Sequence, residues 1–163
     1  MEIYLKTERL EIRPINLLDA GFFNELVNTK SWKKYIGERN ISTVSEAEVF
    51  IQNILKDVNL NYHVFELKDS QTPVGIITFL KRETEEYPDF GFAMLPEFEG
   101  VGMAFEACMV FLEKIRSLHN YDNIIAITIP SNNSSISLLK KLGFVYTGDI
   151  KKEGNMLSYY NLK

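Results

Sequence analysis

Gly100 and Gly102 stand between a strand-like run, Asp89–Leu95, and a long run with Ala104, Phe105, Cys108, Phe111, Leu112 and Ile115 at helical spacing. A third run, Asn123–Ile129, is β-branched and almost wholly apolar, as a central strand buried on both faces should be, and Pro130 closes it. Strand, helix and strand make a crossover unit, so the two strands are expected to be parallel neighbours. The turn inside the unit carries chemistry as well. Glycines let the backbone come close to a ligand, and the unpaired N–H groups of a first helical turn point at it. Pro96–Ala107 therefore reads as an anion site for a phosphate-bearing cofactor.

Two familiar phosphate loops do not fit. A nucleoside-triphosphate loop needs Gly-x-x-x-x-Gly-Lys-Ser/Thr, and the chain has no such string. A dinucleotide fingerprint needs a third small residue where this chain has Phe105. The turn also comes late, with only about sixty residues after it, too few for the second half of a doubly wound fold.

Thr7–Pro14 reads as an edge-type strand, with Leu10 and Ile12 alternating against Glu11 and Arg13. Asp19 is expected to cap a short helix carrying Phe22, Phe23, Leu26 and Val27, and Thr29–Ser42 reads as irregular. Either Thr43-x-x-Glu46 or Ser45-x-x-Glu48 offers a capping box for a helix with Ala47, Phe50, Ile51, Ile54, Leu55 and Val58 on its apolar face. Tyr62–Leu67 and Pro73–Lys81 read as a hairpin across the turn-rich Lys68–Thr72. The post-glycine helix is expected to stop near His119-Asn120. Ser131–Leu142 reads as a short helix with Gly143 as its C-cap, followed by a hairpin of Phe144–Lys151 and Asn155–Leu162 turning at Glu153-Gly154. The expected class is α/β with a mixed sheet, residues 1–163 forming one domain.

A length of 163 residues with 45% hydrophobic content suffices to bury a core. The net charge of −4 argues against nucleic acid as a partner, and no apolar run is long enough to span a membrane. One cysteine, Cys108, excludes an internal disulfide, and its place on the apolar helix face reads as a buried small hydrophobe. His63 and His119 lack ligand-like spacing, so no metal site is expected; both read as surface or strand-end residues. Together these features point to a cytoplasmic protein.

Glu97-Phe98-Glu99-Gly100-Val101-Gly102 resembles the pyrophosphate loop of the GNAT N-acetyltransferase superfamily, Gln/Arg-x-x-Gly-x-Gly/Ala, departing from it at Glu97. Asn132-Asn133-Ser134-Ser135-Ile136 through Lys141-Leu142-Gly143-Phe144 is similar to the family's Asn-x-x-Ser-Ile…Glu-Lys-x-Gly-Phe segment. Thr7-Glu8-Arg9-Leu10-Glu11-Ile12-Arg13-Pro14 matches the opening of the branch that acetylates ribosomal-protein N-termini. Tyr35-Ile36-Gly37 followed by Ser45-Glu46-Ala47-Glu48 also fits, so the resemblance runs from Thr7 to the C-terminus.

The resemblance implies a mostly antiparallel sheet with one parallel pair at the cofactor site and helices on both faces. It implies direct transfer of acetyl from acetyl-CoA to a primary amine, with a protein N-terminus or a small-molecule amine as acceptor and no metal. Ala93, Met94 and Leu95 would pair with pantetheine through their backbones, and Gly100, Val101, Gly102, Met103 and Ala104 would hold the pyrophosphate. Leu139 stands where many members carry a proton-donating tyrosine; Ser135 would serve beside the sulfur, with Asn132 close by. Asn132 and Ser135 are equally at home as helix caps. Asp89 is the candidate base, while Glu83, Glu85 and Glu86 read as a solvated rim. Glu106 matches a family position that reads as structural. Trp32, Tyr35 and Ile36 would wall the acceptor pocket, though Trp32 reads equally as core. A homodimer is a family expectation. The alternative reading is a non-catalytic acyl-CoA-binding sensor or interaction module on the same fold.

Overall fold

Eight strands form one sheet in the order β1-β2-β3-β4-β5-β6-β8-β7 in the computed structural model, which describes residues 1–118 and 121–163. The stop expected at His119-Asn120 lies outside the described residues. The first five strands are β1 (Leu5–Lys6), β2 (Leu10–Pro14), β3 (Leu60–Leu67), β4 (Pro73–Leu80) and β5 (Asp89–Met94). β6 (Ile124–Thr128), β7 (Val145–Lys152) and β8 (Asn155–Leu162) complete the sheet. Every pairing is antiparallel except β5 with β6, the crossover expected around the glycine turn.

Strand alternation divides the buried residues between two layers. Leu10, Ile12, Phe65, Ile77, Phe79 and Phe90 face α4 (Met103–Leu118) and α5 (Asn133–Lys141). Val64, Ile76 and Ile15 face α1 (Ala20–Val27), α2 (Lys30–Tyr35) and α3 (Val44–Lys56). The two faces are covered by different helices, as a mixed sheet buried on both sides requires.

Several expectations need correction. The 3₁₀ turn Leu17–Asp19 is capped by Asn16, whose Oδ1 accepts from Leu18 N–H at 2.9 Å, and Asp19 gives α1 no side-chain cap. Asp19 instead accepts a bidentate pair from Arg13 at 2.8 and 2.9 Å, which balances a carboxylate only 2% exposed. Within the stretch read as irregular, Thr29 caps the six-residue α2; one turn is too short to show a periodic stripe. Thr43-x-x-Glu46 is the capping box of α3, and Leu55 and Val58 are exposed. Phe105 is also exposed, because the helix starts at Met103 and turns its buried face to Ala107, Cys108 and Phe111. His63 is fully buried, sharing a face with Phe65 and lying edge-on to Phe111 with ring centroids 4.9 Å apart. The hairpin turn at Glu153 and Gly154 has φ of 49° and 82°, the left-handed pair that a two-residue connection demands.

Candidate active site

β5 and β6 pair at one register position only, Asp89 opposite Ile125, with Ile125 N–H donating to the Pro88 carbonyl at 2.9 Å. Beyond it β6 turns to β8 while β5 stays with β4, so the two parallel strands part and leave a slit through the sheet. Leu95 N–H donates to Val74 at 2.9 Å, on the β4 side. By alternation Ala93 points its backbone groups the same way, so Phe92 and Met94 aim theirs at the slit. Of Ala93, Met94 and Leu95, read from sequence as backbone partners of pantetheine, only Met94 therefore faces the slit: Ala93 turns to β4, and Leu95 is buried with its N–H already spent. The slit belongs to a cleft of about 1290 Å³.

At one end of the cleft lies the glycine turn. Gly100 and Gly102 have φ of +82° and +84°, a conformation costly for any residue with a Cβ. Among the described residues, none accepts from the N–H groups of Gly100, Val101, Gly102, Met103 or Ala104, and the first α4 bond is Glu106 N–H to the Gly102 carbonyl at 3.0 Å. The turn is pinned from the connection between β1 and β2. Arg9 Nη1 donates to the Val101 carbonyl at 2.9 Å, and Arg9 Nε donates to Glu106 Oε2 at 2.7 Å. Thr7 Oγ1 and Arg9 N–H both donate to Glu106 Oε1, at 2.5 and 3.0 Å. Burial alone would raise the Glu106 carboxyl, and the hydrogen bonds from Thr7 and Arg9 overcome it and hold it below its ordinary value.

Across the slit, Asn132 caps α5 by accepting from Ser135 N–H at 3.3 Å, and its Nδ2 donates to Ser135 Oγ at 3.0 Å. With Oγ accepting from Asn132, the Ser135 hydroxyl hydrogen is free to donate elsewhere. Both residues line the cleft, as does Leu139, whose side chain is otherwise part of the core.

At the far end, on the α1–α3 side of the sheet, Asp89, Gly91 and Ala93 share a face with Thr78 and Tyr62 through the register Leu80↔Asp89, Thr78↔Gly91 and Tyr62↔Thr78. A Cβ at Gly91 would lie 2.6 Å from Thr78 Oγ1, so glycine there leaves room for the threonine hydroxyl. Asp89 accepts from Arg82 Nε at 2.7 Å. Burial pushes its carboxyl up to about 6 against the lowering pull of Arg82. Trp32, Tyr35, Ile36 and Arg39 form the opposite wall. Trp32 packs edge-on to Phe23 at 6.1 Å and its Nε1 is buried without an acceptor, so it is both core and wall. Glu85 lies outside the cleft, held by Tyr159 Oη at 3.0 Å and Lys152 Nζ at 2.9 Å. Cys108 is fully buried, and burial pushes its thiol up, which removes it as a nucleophile.

A family model described as an acetyltransferase (GNAT) domain matches residues 9–145. The chain belongs to the GNAT acetyltransferase family. Its sequence is 30% identical over 150 residues to the uncharacterized N-acetyltransferase YnaD of Bacillus subtilis (strain 168), covering 92% of this chain and 87% of that relative. Ribosomal-protein-S5-alanine acetyltransferase of Vibrio fischeri superposes with a TM-score of 0.83 at 20% identity, over 99% of this chain and 96% of that one. Spermidine N-acetyltransferase of Vibrio cholerae, solved in complex with CoA and spermine, gives 0.82 at 18% identity over 96% of each chain. At these identities the solved structures share the fold with this chain.

GNAT membership makes the protein an acyltransferase, and its mixed sheet with one parallel pair is the fold those structures share. Of the residues singled out from sequence, Trp32, Tyr35, Ile36, Asp89, Ala93, Met94, Asn132 and Ser135 line the one cleft together with Gly100, Gly102, Met103 and Ala104. Val101 and Leu95 do not line it; Val101 gives its carbonyl to Arg9. Sequence reasoning missed Arg9 as the residue that pins the loop, although the Thr7–Pro14 motif contained it. It also missed Arg39, Tyr62, Thr78 and Arg82, which carry no local motif and converge only through strand register and the α2 fold.

Proposed function

We propose that the protein transfers acetyl from acetyl-CoA directly to a primary amine. The observation that carries this reading is the single cleft joining the β5–β6 slit, the turn with unpaired N–H groups and the buried Asp89. The site fits the co-substrate: Phe92 and Met94 would hold pantetheine as an added strand, and the N–H groups of Gly100 to Ala104 would take the pyrophosphate. Acetyl-CoA supplies a thioester, whose C–S bond breaks as the amine nitrogen bonds to the acyl carbon. Asp89 takes the proton that the attacking amine gives up, directly or through a water. Ser135, oriented by Asn132, donates a hydrogen bond to the leaving thiolate. Leu139 has no proton to give, so proton delivery to sulfur would not follow the tyrosine route. Peptide N-termini and small amines both remain acceptors under this reading, with cytoplasmic activity expected.

The test is acetyl-CoA-dependent release of free thiol across peptides with different N-termini and a panel of small amines. Release above background with at least one amine is expected, reduced in Ser135→Ala and Asp89→Asn. Tight acetyl-CoA binding with background release across the whole panel would replace this reading with a non-catalytic acyl-CoA sensor.

A further inference from the structure

The acceptor end of the cleft holds more positive charge than negative. Arg39 and Arg82 line it, and Asp89 is the carboxylate on that part of the lining. Arg82 spends its Nε on Asp89, and its two outer nitrogens have no protein partner among the described residues. Arg39 forms no ion pair among the described residues, its guanidinium carbon lying 5.7 Å from the centroid of the Trp32 ring. That contact holds a cation at the wall without neutralising it. Arg39, Arg82, Asp89 and Tyr62 all line this one cleft. The hydroxyls of Tyr62 and Thr78 line the same space without protein partners among the described residues. Glu38, Glu83, Glu85 and Glu86 do not line the cleft; Glu38 pairs with Lys33 at 3.5 Å, and Glu85 is held by Lys152 and Tyr159.

A polycationic amine entering this chamber meets two guanidinium groups and one carboxylate already paired. An amine that brings its own negative charge meets an unpaired fork of donors. We propose that the acceptor is a primary amine that also carries a carboxylate, the carboxylate held by Arg39 and the amine set at Asp89. The inference rests on the acetyl-transfer reading above and narrows its acceptor. The carboxylate belongs either to a free amino acid or to an acidic side chain near a peptide N-terminus, and the two sources share this chemistry.

The experiment compares matched acceptors with the full chain and acetyl-CoA: amino acids against their carboxamides, peptides with Asp or Asn as second residue, and spermidine. Carboxylate-bearing members of one pair series are expected to exceed their neutral partners in kcat/KM by about tenfold to hundredfold, the worth of a hydrogen bond to a charged group. The responding series identifies the source. Arg39→Gln should collapse that ratio through KM, and Arg39→Lys should restore part of it. Because the same amines are used with each variant, differences in amine basicity cancel. Equal or better use of amides or spermidine, or a ratio unchanged in Arg39→Gln, overturns the inference and leaves acetyl transfer standing. Calorimetric binding of the same amines to protein saturated with CoA separates the two readings. Carboxylate-selective binding lost in Arg39→Gln, without transfer to any amine, upholds the chamber and removes the catalytic reading. Absence of both selective binding and selective transfer overturns the inference.

Discussion

Asp89 is a carboxylate that burial has made basic. Its value of about 6 sits above the usual 3.9 of an aspartate, in the range where a base is ionised at neutral pH yet still accepts a proton. As the proposed base Asp89 acts in its ionised form, so kcat/KM is expected to rise with pH through about 6. Asp89→Asn should lose that limb and about 10²–10⁴-fold in rate. A full wild-type pH profile in Asp89→Asn would exclude it as the base. In the proposed mechanism, removal of the Ser135 hydroxyl takes away one hydrogen bond to a charged leaving group. Ser135→Ala should lower kcat by roughly tenfold to hundredfold with little change in KM for acetyl-CoA. These two residues were legible in the sequence because each sits at a marked position, a strand start and a helix N-terminal turn. Arg39 and Arg82 were not legible, since a charge in a loop reads as solvated until the fold shows what it faces.

Among the elements, the turn before α4 depends on the connection between β1 and β2. Arg9 holds the Val101 carbonyl and Glu106 holds Arg9, so the peptide between two left-handed glycines is fixed from outside the helix. Arg9→Ala should raise KM for acetyl-CoA about tenfold while kcat at saturation stays within about twofold, the pattern of lost binding rather than lost chemistry. Equal losses in both constants would place Arg9 in the chemical step. Gly102→Ala would bring its Cβ no closer than 3.6 Å to Arg9, so crowding inside the protein is not the cost. The positive φ is, at about 1–2 kcal/mol, together with obstruction of the anion approach. A small drop in Tm with a large loss of acetyl-CoA affinity is the expected signature. The turn itself was plain in the sequence because glycine and the flanking periodicities mark it. The parting of β5 from β6 was not, because pairing length depends on β6 finding β8, a partner more than twenty-five residues away.

On the scale of the molecule, the sheet buries an ionisable group, His63, that the chemistry does not use. His63 is fully buried, neither ring nitrogen has a side-chain partner among the described residues, and burial brings it down to about 4 from an ordinary 6.5. The unfolded chain therefore takes up this proton before the folded one does. The contribution of neutral His63 is intact above about pH 6.5 and is lost as pH falls from there toward 4. Thermal melts of His63→Leu should show a flatter pH dependence across that window than the wild type; parallel curves would contradict the assignment. The sequence pointed to this position only as a strand end, since a lone histidine in an apolar strand does not announce which face it takes.

Under the proposed function the slit and the pinned glycine turn together hold acetyl-CoA. The direct test is calorimetric titration of acetyl-CoA into the wild type, Gly102→Val and Arg9→Ala. One site per chain with micromolar-range affinity, weakened at least about tenfold in both variants, is the predicted result. No binding to the wild type, or equal affinity in all three proteins, would contradict it.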